Sequence, residues 1–135
     1  LALSLIANGA RQASERGMIS AVFHNRLKKG MMLQTDPTVI YGIGPKFDGD
    51  IKKADLRRDT PYNTYMRFGL PPTPIAMPSK ESLLAAAQPA VSNALYFVAR
   101  GDGSSQFSTN LKEHEAAVDR YQRNPAKSVS KPVRK

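Results

Sequence analysis

Leu33-Gln34-Thr35-Asp36-Pro37-Thr38-Val39-Ile40-Tyr41-Gly42 sets adjacent polar side chains, a proline and an apolar run within ten residues. Asp before Pro predicts a helix start, with Asp36 at the N-cap and Pro37 at N1, where its missing N–H leaves nothing unsatisfied. Gly42 then suits the C-terminal stop of a very short helix. On this reading Gln34 and Thr35 sit on the turn just ahead of the helix, where donors and acceptors can face a ligand. A plainer reading uses the same residues: Asp36 caps a helix and its neighbours shape a turn.

Upstream of this stretch, Met18, Ile19, Val22, Phe23 and Leu27 recur at helical spacing and predict one buried face. Ser14 is the expected N-cap of that helix and Glu15 a favourable first-turn acid. Lys28 and Lys29 fill its last turn, and Gly30 follows as the stop. His24 lies within the helix without a metal-spaced partner, which favours a structural role over a ligand contact. Residues 2–10 read as the stump of an earlier helix, weakened at Gly9.

Downstream, residues 43–50 have a loop composition, and Ile51–Arg58 predicts a short helix ending in the pair Arg57-Arg58. Those arginines suit a solvated face or a carboxylate on a ligand. Tyr62, Asn63, Thr64 and Tyr65 bring together aromatic rings and small polar groups. Sugar sites use that mixture, because rings stack on a pyranose and amides or hydroxyls bond its polar groups; turn packing would use it too. The run Gly69-Leu70-Pro71-Pro72-Thr73-Pro74-Ile75 is stiff and extended, and is expected to form a wall beside a cleft. Ser79 caps a predicted helix through Gln88, with Leu83, Leu84 and the alanines on its packed face. Leu95–Arg100 and Gln106–Asn110 flank a Gly-rich turn and predict a β-hairpin. Asn110 and Glu113 predict a capping box for a last helix whose inner face is Leu111, His114, Val118 and Tyr121. The expected fold is α+β, one compact domain of several short helices and a small hairpin.

At 135 residues the chain is one domain, with 41% hydrophobic and 23% charged residues. It has no cysteine, so disulfides and thiolate metal sites are excluded. No apolar run is long enough for a membrane span, and no signal-peptide pattern is present. The net charge of +9 is unevenly placed. Every acid lies at or before Asp119, which leaves the body near balance, while residues 120–135 carry six basic residues and no acid. The expectation is a domain over residues 1–124 and a basic, disordered tail over 125–135. A tail of this kind is weak support for a nucleic-acid or anionic-membrane binder, since nucleic-acid footprints are normally patches on folded structure.

The central stretch resembles the signature of the endolytic murein transglycosylases, the MltG/YceG-like family. The likeness continues through Tyr62-Asn63-Thr64-Tyr65, Gly69-Leu70-Pro71-Pro72 and Tyr96-Phe97-Val98 to Phe107-Ser108-Thr109-Asn110, and covers about residues 10–121. The resemblance implies cleavage of peptidoglycan glycan strands between MurNAc and GlcNAc, leaving 1,6-anhydro-MurNAc ends. It implies Gln34, Thr35, Asp36, Tyr62, Asn63 and Thr64 as substrate-binding residues, with no cofactor and no metal. The partners implied are glycan strands and the cell-wall synthesis machinery, with no nucleic acid. The implied location is the periplasmic face of the bacterial inner membrane, reached through an N-terminal anchor that this sequence lacks. Opening at Leu1 inside a helical pattern, the chain reads as a fragment.

One family feature is missing. Lytic transglycosylases need a carboxylic acid to protonate the leaving oxygen, after which the muramic C6 hydroxyl closes the anhydro ring. The resemblance places that acid in a Glu-Lys-Glu segment, and the equivalent here is Ala7-Asn8-Gly9. Glu15 is the first carboxylate in the chain and matches a separate position. Three readings follow: a fragment or altered copy of the enzyme, impaired in catalysis; a non-catalytic peptidoglycan-binding module on the same fold; and a binder of nucleic acid or membrane through the tail.

Overall fold

Helix α2 (Arg16–Lys29) is the central element, and its burial begins with the expected apolar stripe: Ile19, Val22 and Phe23 are buried. Gly30 closes the helix in the left-handed conformation, its N–H returning to Arg26 and Leu27 carbonyls. In this computed structural model residues 2–8 and 15–123 are described. The expected cap Ser14, the position of Gly9 and the tail over 125–135 lie outside the described residues. Met18 and Leu27 are only half-buried, whereas Ser20, Ala21 and Arg26 join the buried face.

Helix α1 (Ala2–Ala7) packs against α2 and against α5 (Lys80–Ala87). Leu3, Ile6 and Ala7 of α1 form one buried cluster with Ile19, Phe23 and Leu33. Small residues let these helices approach closely, since Ser4, Ser20 and Ser82 are fully buried. Ser79 caps α5 by accepting from the Ser82 N–H at 3.0 Å, as expected. The packed face of α5 is Ser82 and Ala85, not the leucines: Leu83 is 41% and Leu84 54% exposed. Helix α5 meets both α1 and α2, and its small side chains are the ones buried at those contacts.

Helix α3 (Asp36–Ile43) runs two residues further at its C-terminus than the sequence suggests. Its stop is Gly44, at φ 77°, where a side chain would be strained. Gly42 lies inside the helix for another reason: a Cβ there would stand 3.2 Å from the Tyr62 Cβ and 3.4 Å from the Thr60 Oγ1. Asp36 is the first helical residue and Thr35 the N-cap, so Asp36 favours the helix dipole without capping it. Beyond a 3₁₀ turn, Gly44–Lys46, helix α4 (Lys53–Arg57) is short and exposed on most of its surface.

Strands β1 (Tyr96–Ala99) and β2 (Ser105–Ser108) form the antiparallel hairpin, with Tyr96 opposite Ser108 and Ala99 opposite Ser105. Phe97 packs edge-on against Phe23 at 6.1 Å and beside Phe107 at 6.0 Å, which fixes the hairpin to α2. Glu15 adds a second tie by accepting from the Ser105 N–H at 2.9 Å. Helix α6 (Leu111–Val118) packs on both strands and continues as a π-helical turn, Asp119–Arg123. Asn110 caps it by accepting from the Glu113 N–H at 2.8 Å. Its inner face holds Ala117, which is buried, while Leu111, expected on that face, is 54% exposed. The architecture is the expected α+β, with six α-helices and a two-stranded sheet among the described residues.

Candidate functional site: a cavity bordered by Gln34 and Asp36

Three consecutive polar residues of α2 fasten the α5-to-β1 connection. His24 Nε2 lies 3.0 Å from the Ala86 carbonyl, and Asn25 donates to the Ser92 and Ala94 carbonyls at 2.9 Å each. Arg26 donates through Nε to the Leu95 carbonyl at 2.6 Å and through Nη1 to Met32 at 2.7 Å, with Leu33 at 3.4 Å. Its guanidinium also lies over the Tyr96 ring, 4.9 Å from the centroid, and Tyr96 stacks on His114 at 4.8 Å. Sequence periodicity offered a signal for this residue: Arg26 falls four positions after Val22 and seven after Ile19, on the buried stripe. A charged residue on such a stripe has to find internal partners.

By tying these segments together, Arg26 forms part of the wall of a cavity of about 470 Å³. Leu33, Gln34, Thr35, Asp36, Tyr65, Phe97 and His114 line it too, with apolar residues of α1, α2, α4, β1 and α6. Apolar walls with a few convergent polar groups are the usual make-up of a small-ligand pocket. Burial pushes the Arg26 guanidinium down from its ordinary value, against the pull of Tyr96 and Tyr65.

Gln34 holds the cavity's lip in an uncommon backbone state. Its φ is 51°, and among the described residues it is the non-glycine with positive φ. For an L-residue this costs about 1–2 kcal/mol, so the surroundings must enforce it. They do so through the segment Tyr62–Tyr65. The Gln34 N–H donates to the Thr64 carbonyl at 3.2 Å, and the Thr35 N–H to the Thr64 Oγ1 at 2.9 Å. Thr38 Oγ1 donates to the Thr35 carbonyl at 2.8 Å and lies 2.9 Å from the Thr64 Oγ1. The side chain of Gln34 is exposed and makes no hydrogen bond among the described residues.

The six expected binding residues therefore divide. Gln34, Thr35 and Asp36 line the cavity, although the side chain of Thr35 is buried. Thr64 is 3% exposed and spends its hydroxyl on the turn beneath Gln34. Asn63 is 1% exposed, its amide donating to the Asp55, Leu56 and Arg58 carbonyls and its Oδ1 accepting from the Tyr65 N–H. Tyr62 leans on Tyr41 at 4.9 Å and bonds the Thr73 hydroxyl at 2.6 Å, away from the cavity lining. The run Gly69-Leu70-Pro71-Pro72 borders a separate hollow of about 220 Å³ rather than the larger cavity.

A profile of the YceG-like family matches residues 1–120. The chain belongs to that family. It is similar to the endolytic murein transglycosylase of Bacillus subtilis, 47% identical over 118 residues, covering 87% of this chain and 32% of the relative. The Streptococcus pneumoniae protein of the same name is 32% identical over 121 residues, covering 85% of this chain and 22% of that one. A crystal structure of a yceG-like protein from Listeria monocytogenes superposes with a TM-score of 0.76 at 43% identity, over 85% of this chain and 36% of the other. The YceG-like chain thus spans at most about a third of the length of these relatives.

Tyr65 is the cavity residue whose role the composition left open. Its hydroxyl donates to Asp36 Oδ1 at 2.6 Å. Burial, then the Asp36 bond, pushes the phenol well above the tyrosine norm. A raised folded-state value means the protonated phenol stabilises the fold below pH about 10, and this contribution is lost as pH rises through the folded-state value. The thermal midpoint of the chain should therefore fall more steeply above pH about 10 than that of Tyr65→Phe. Parallel curves would show that folding does not raise the Tyr65 phenol.

Proposed function

We propose that this YceG-like chain holds peptidoglycan glycan strands at the Gln34–Asp36 lip of the cavity, as part of an endolytic murein transglycosylase whose cleavage step it cannot complete by itself. The observation that carries the reading is Gln34, kept in a left-handed conformation with its amide exposed beside a largely apolar cavity. Strain maintained by a buried hydrogen-bond network is usual where side chains must be aimed at a ligand. The names of the relatives supply the substrate class. Gln34 and Asp36 bond sugar hydroxyls or acetamido groups, while Thr35, Thr38 and Thr64 hold the turn rigid beneath them. The place of work that goes with this reading is the cell wall at the periplasmic face of the inner membrane, beside the machinery that extends the strands.

Cleavage requires a proton aimed at the leaving oxygen. The position that would carry one carboxylate of the family's pair is Ala7, which is fully buried in the apolar cluster. Glu15 is committed to the hairpin through the Ser105 N–H. Asp36 is the one carboxylate among the described lining residues, and its Oδ1 accepts from Tyr65. Binding without turnover is the result. No helix among the described residues is long and apolar enough to cross a membrane.

The test is direct. Gln34→Gly should weaken binding of uncrosslinked glycan strands about fivefold, the worth of one neutral hydrogen bond of about 1 kcal/mol. The same change relieves the positive φ, so the thermal midpoint should not fall. Unchanged affinity would move the binding face away from Gln34.

A further inference from the structure

Arg26 carries more than the connections it fastens. It is 7% exposed, yet it makes no ion pair among the described residues, and the carboxylate of Asp36 on the same cavity wall is bonded to Tyr65. Two of its nitrogens are committed to carbonyls, Nε to Leu95 and Nη1 to Met32 and Leu33. The remaining nitrogen, Nη2, has no hydrogen-bond partner among the described residues and is not among the sealed atoms. A guanidinium anchored by two of its arms holds the third in a fixed direction, and the Arg26 side chain is part of the cavity wall. A buried positive charge met only by neutral dipoles is incompletely compensated, and a carboxylate is the group that completes it.

We infer that the cavity contains a carboxylate subsite, in which Nη2 of Arg26 binds an acid group on the glycan or its peptide. The inference deepens the proposed glycan binding and rests on it. Apolar walls from Ile19, Val22 and Phe97 lower the local dielectric and strengthen the contact. The Asp36 carboxylate on the same wall is already engaged by the Tyr65 hydroxyl, which donates to its Oδ1. The subsite gives the binding face a preference that hydrogen bonds to sugar hydroxyls cannot supply. It separates muramic-type residues, which bear an acid side arm, from plain N-acetylglucosamine polymers.

A ligand series tests this on the intact chain, without substituting a residue whose loss would free three carbonyls. Calorimetry would compare three tetrasaccharides of alternating N-acetylmuramic acid and N-acetylglucosamine: one with free lactyl carboxylates, one with the lactyl groups as methylamides, and one with those groups extended by an alanyl-glutamate dipeptide. A ligand that places its carboxylate at Arg26 should bind at least about tenfold tighter than the methylamide. Tight binding of the free acid identifies the lactyl group as the source. Tight binding of the dipeptide form alone identifies the stem peptide. Equal affinities for all three would overturn the subsite and leave glycan binding intact. If none binds, the glycan reading fails, and D-lactate decides the subsite separately. A shift of the Arg26 Nε–H resonance on adding lactate sustains the anion site, and an unmoved resonance overturns it.

Discussion

Incubated with purified glycan strands, the chain should release no 1,6-anhydro-muropeptides above background. General acid catalysis is typically worth about 10²–10⁴ in rate, and no carboxylate stands at Ala7 or Gly9, where the family segment places them. Gly9→Glu is the substitution expected to restore some turnover, measured by chromatography of the released anhydro products. The structure removes the second half of the obvious repair. Ala7 is fully buried among Leu3, Ile6, Ile19 and Phe23, so Ala7→Glu would put a carboxylate into apolar surroundings and lower stability. The single Gly9→Glu variant should therefore outperform the double variant both in yield of folded protein and in activity. Robust cleavage by the unmodified chain would overturn the binding-only reading. The acid would then have to be Asp36, the carboxylate on the cavity wall.

Asn63→Ala should cost about 3 kcal/mol of stability, a fall of about 10 °C in thermal midpoint for a domain of this size. The sequence placed Asn63 among the sugar contacts, where truncation would weaken binding and spare the fold. In the structure its amide joins the end of α4 to the turn before Tyr65, at 3.2 Å from the Asp55, 3.0 Å from the Leu56 and 2.6 Å from the Arg58 carbonyl. Its Oδ1 accepts from the Tyr65 N–H at 2.8 Å. Alanine leaves these part-buried groups short of the partners that the buried Asn63 side chain supplies, apart from the Asp55 carbonyl, which also accepts from the Arg58 N–H. Glycan binding should weaken only in proportion to unfolding, because the same turn supports Thr64 and, through it, Gln34. Urea denaturation alongside binding at low temperature separates the two effects. Full stability combined with lost affinity would return Asn63 to the binding face.

Periodicity and capping chemistry were enough to place α2, α5, the hairpin and α6, because those signals are local: apolar spacing, Ser79 and Asn110 as caps, and glycine turns. The central stretch was legible as a helix start, and its order of motifs marked the family. Local signals could not say which polar residues face inward. Leu83, Leu84 and Leu111 look like core residues in one dimension, yet small side chains at Ser82, Ala85 and Ala117 occupy the contacts, because helix approach is set by the partner's surface. Asn63 and Thr64 have the composition of a sugar site, and only the meeting of Tyr62–Tyr65 with the turn at Gln34 turns them into its support. The sequence by itself determined the element types, the family and the lack of a carboxylate at Ala7 and Gly9. The tertiary structure alone decided that Gln34 is strained and exposed, that Arg26 is buried without a counter-ion among the described residues, and that Tyr65 joins Asp36. Those three depend on contacts between segments 29 to 69 residues apart, which no local pattern encodes.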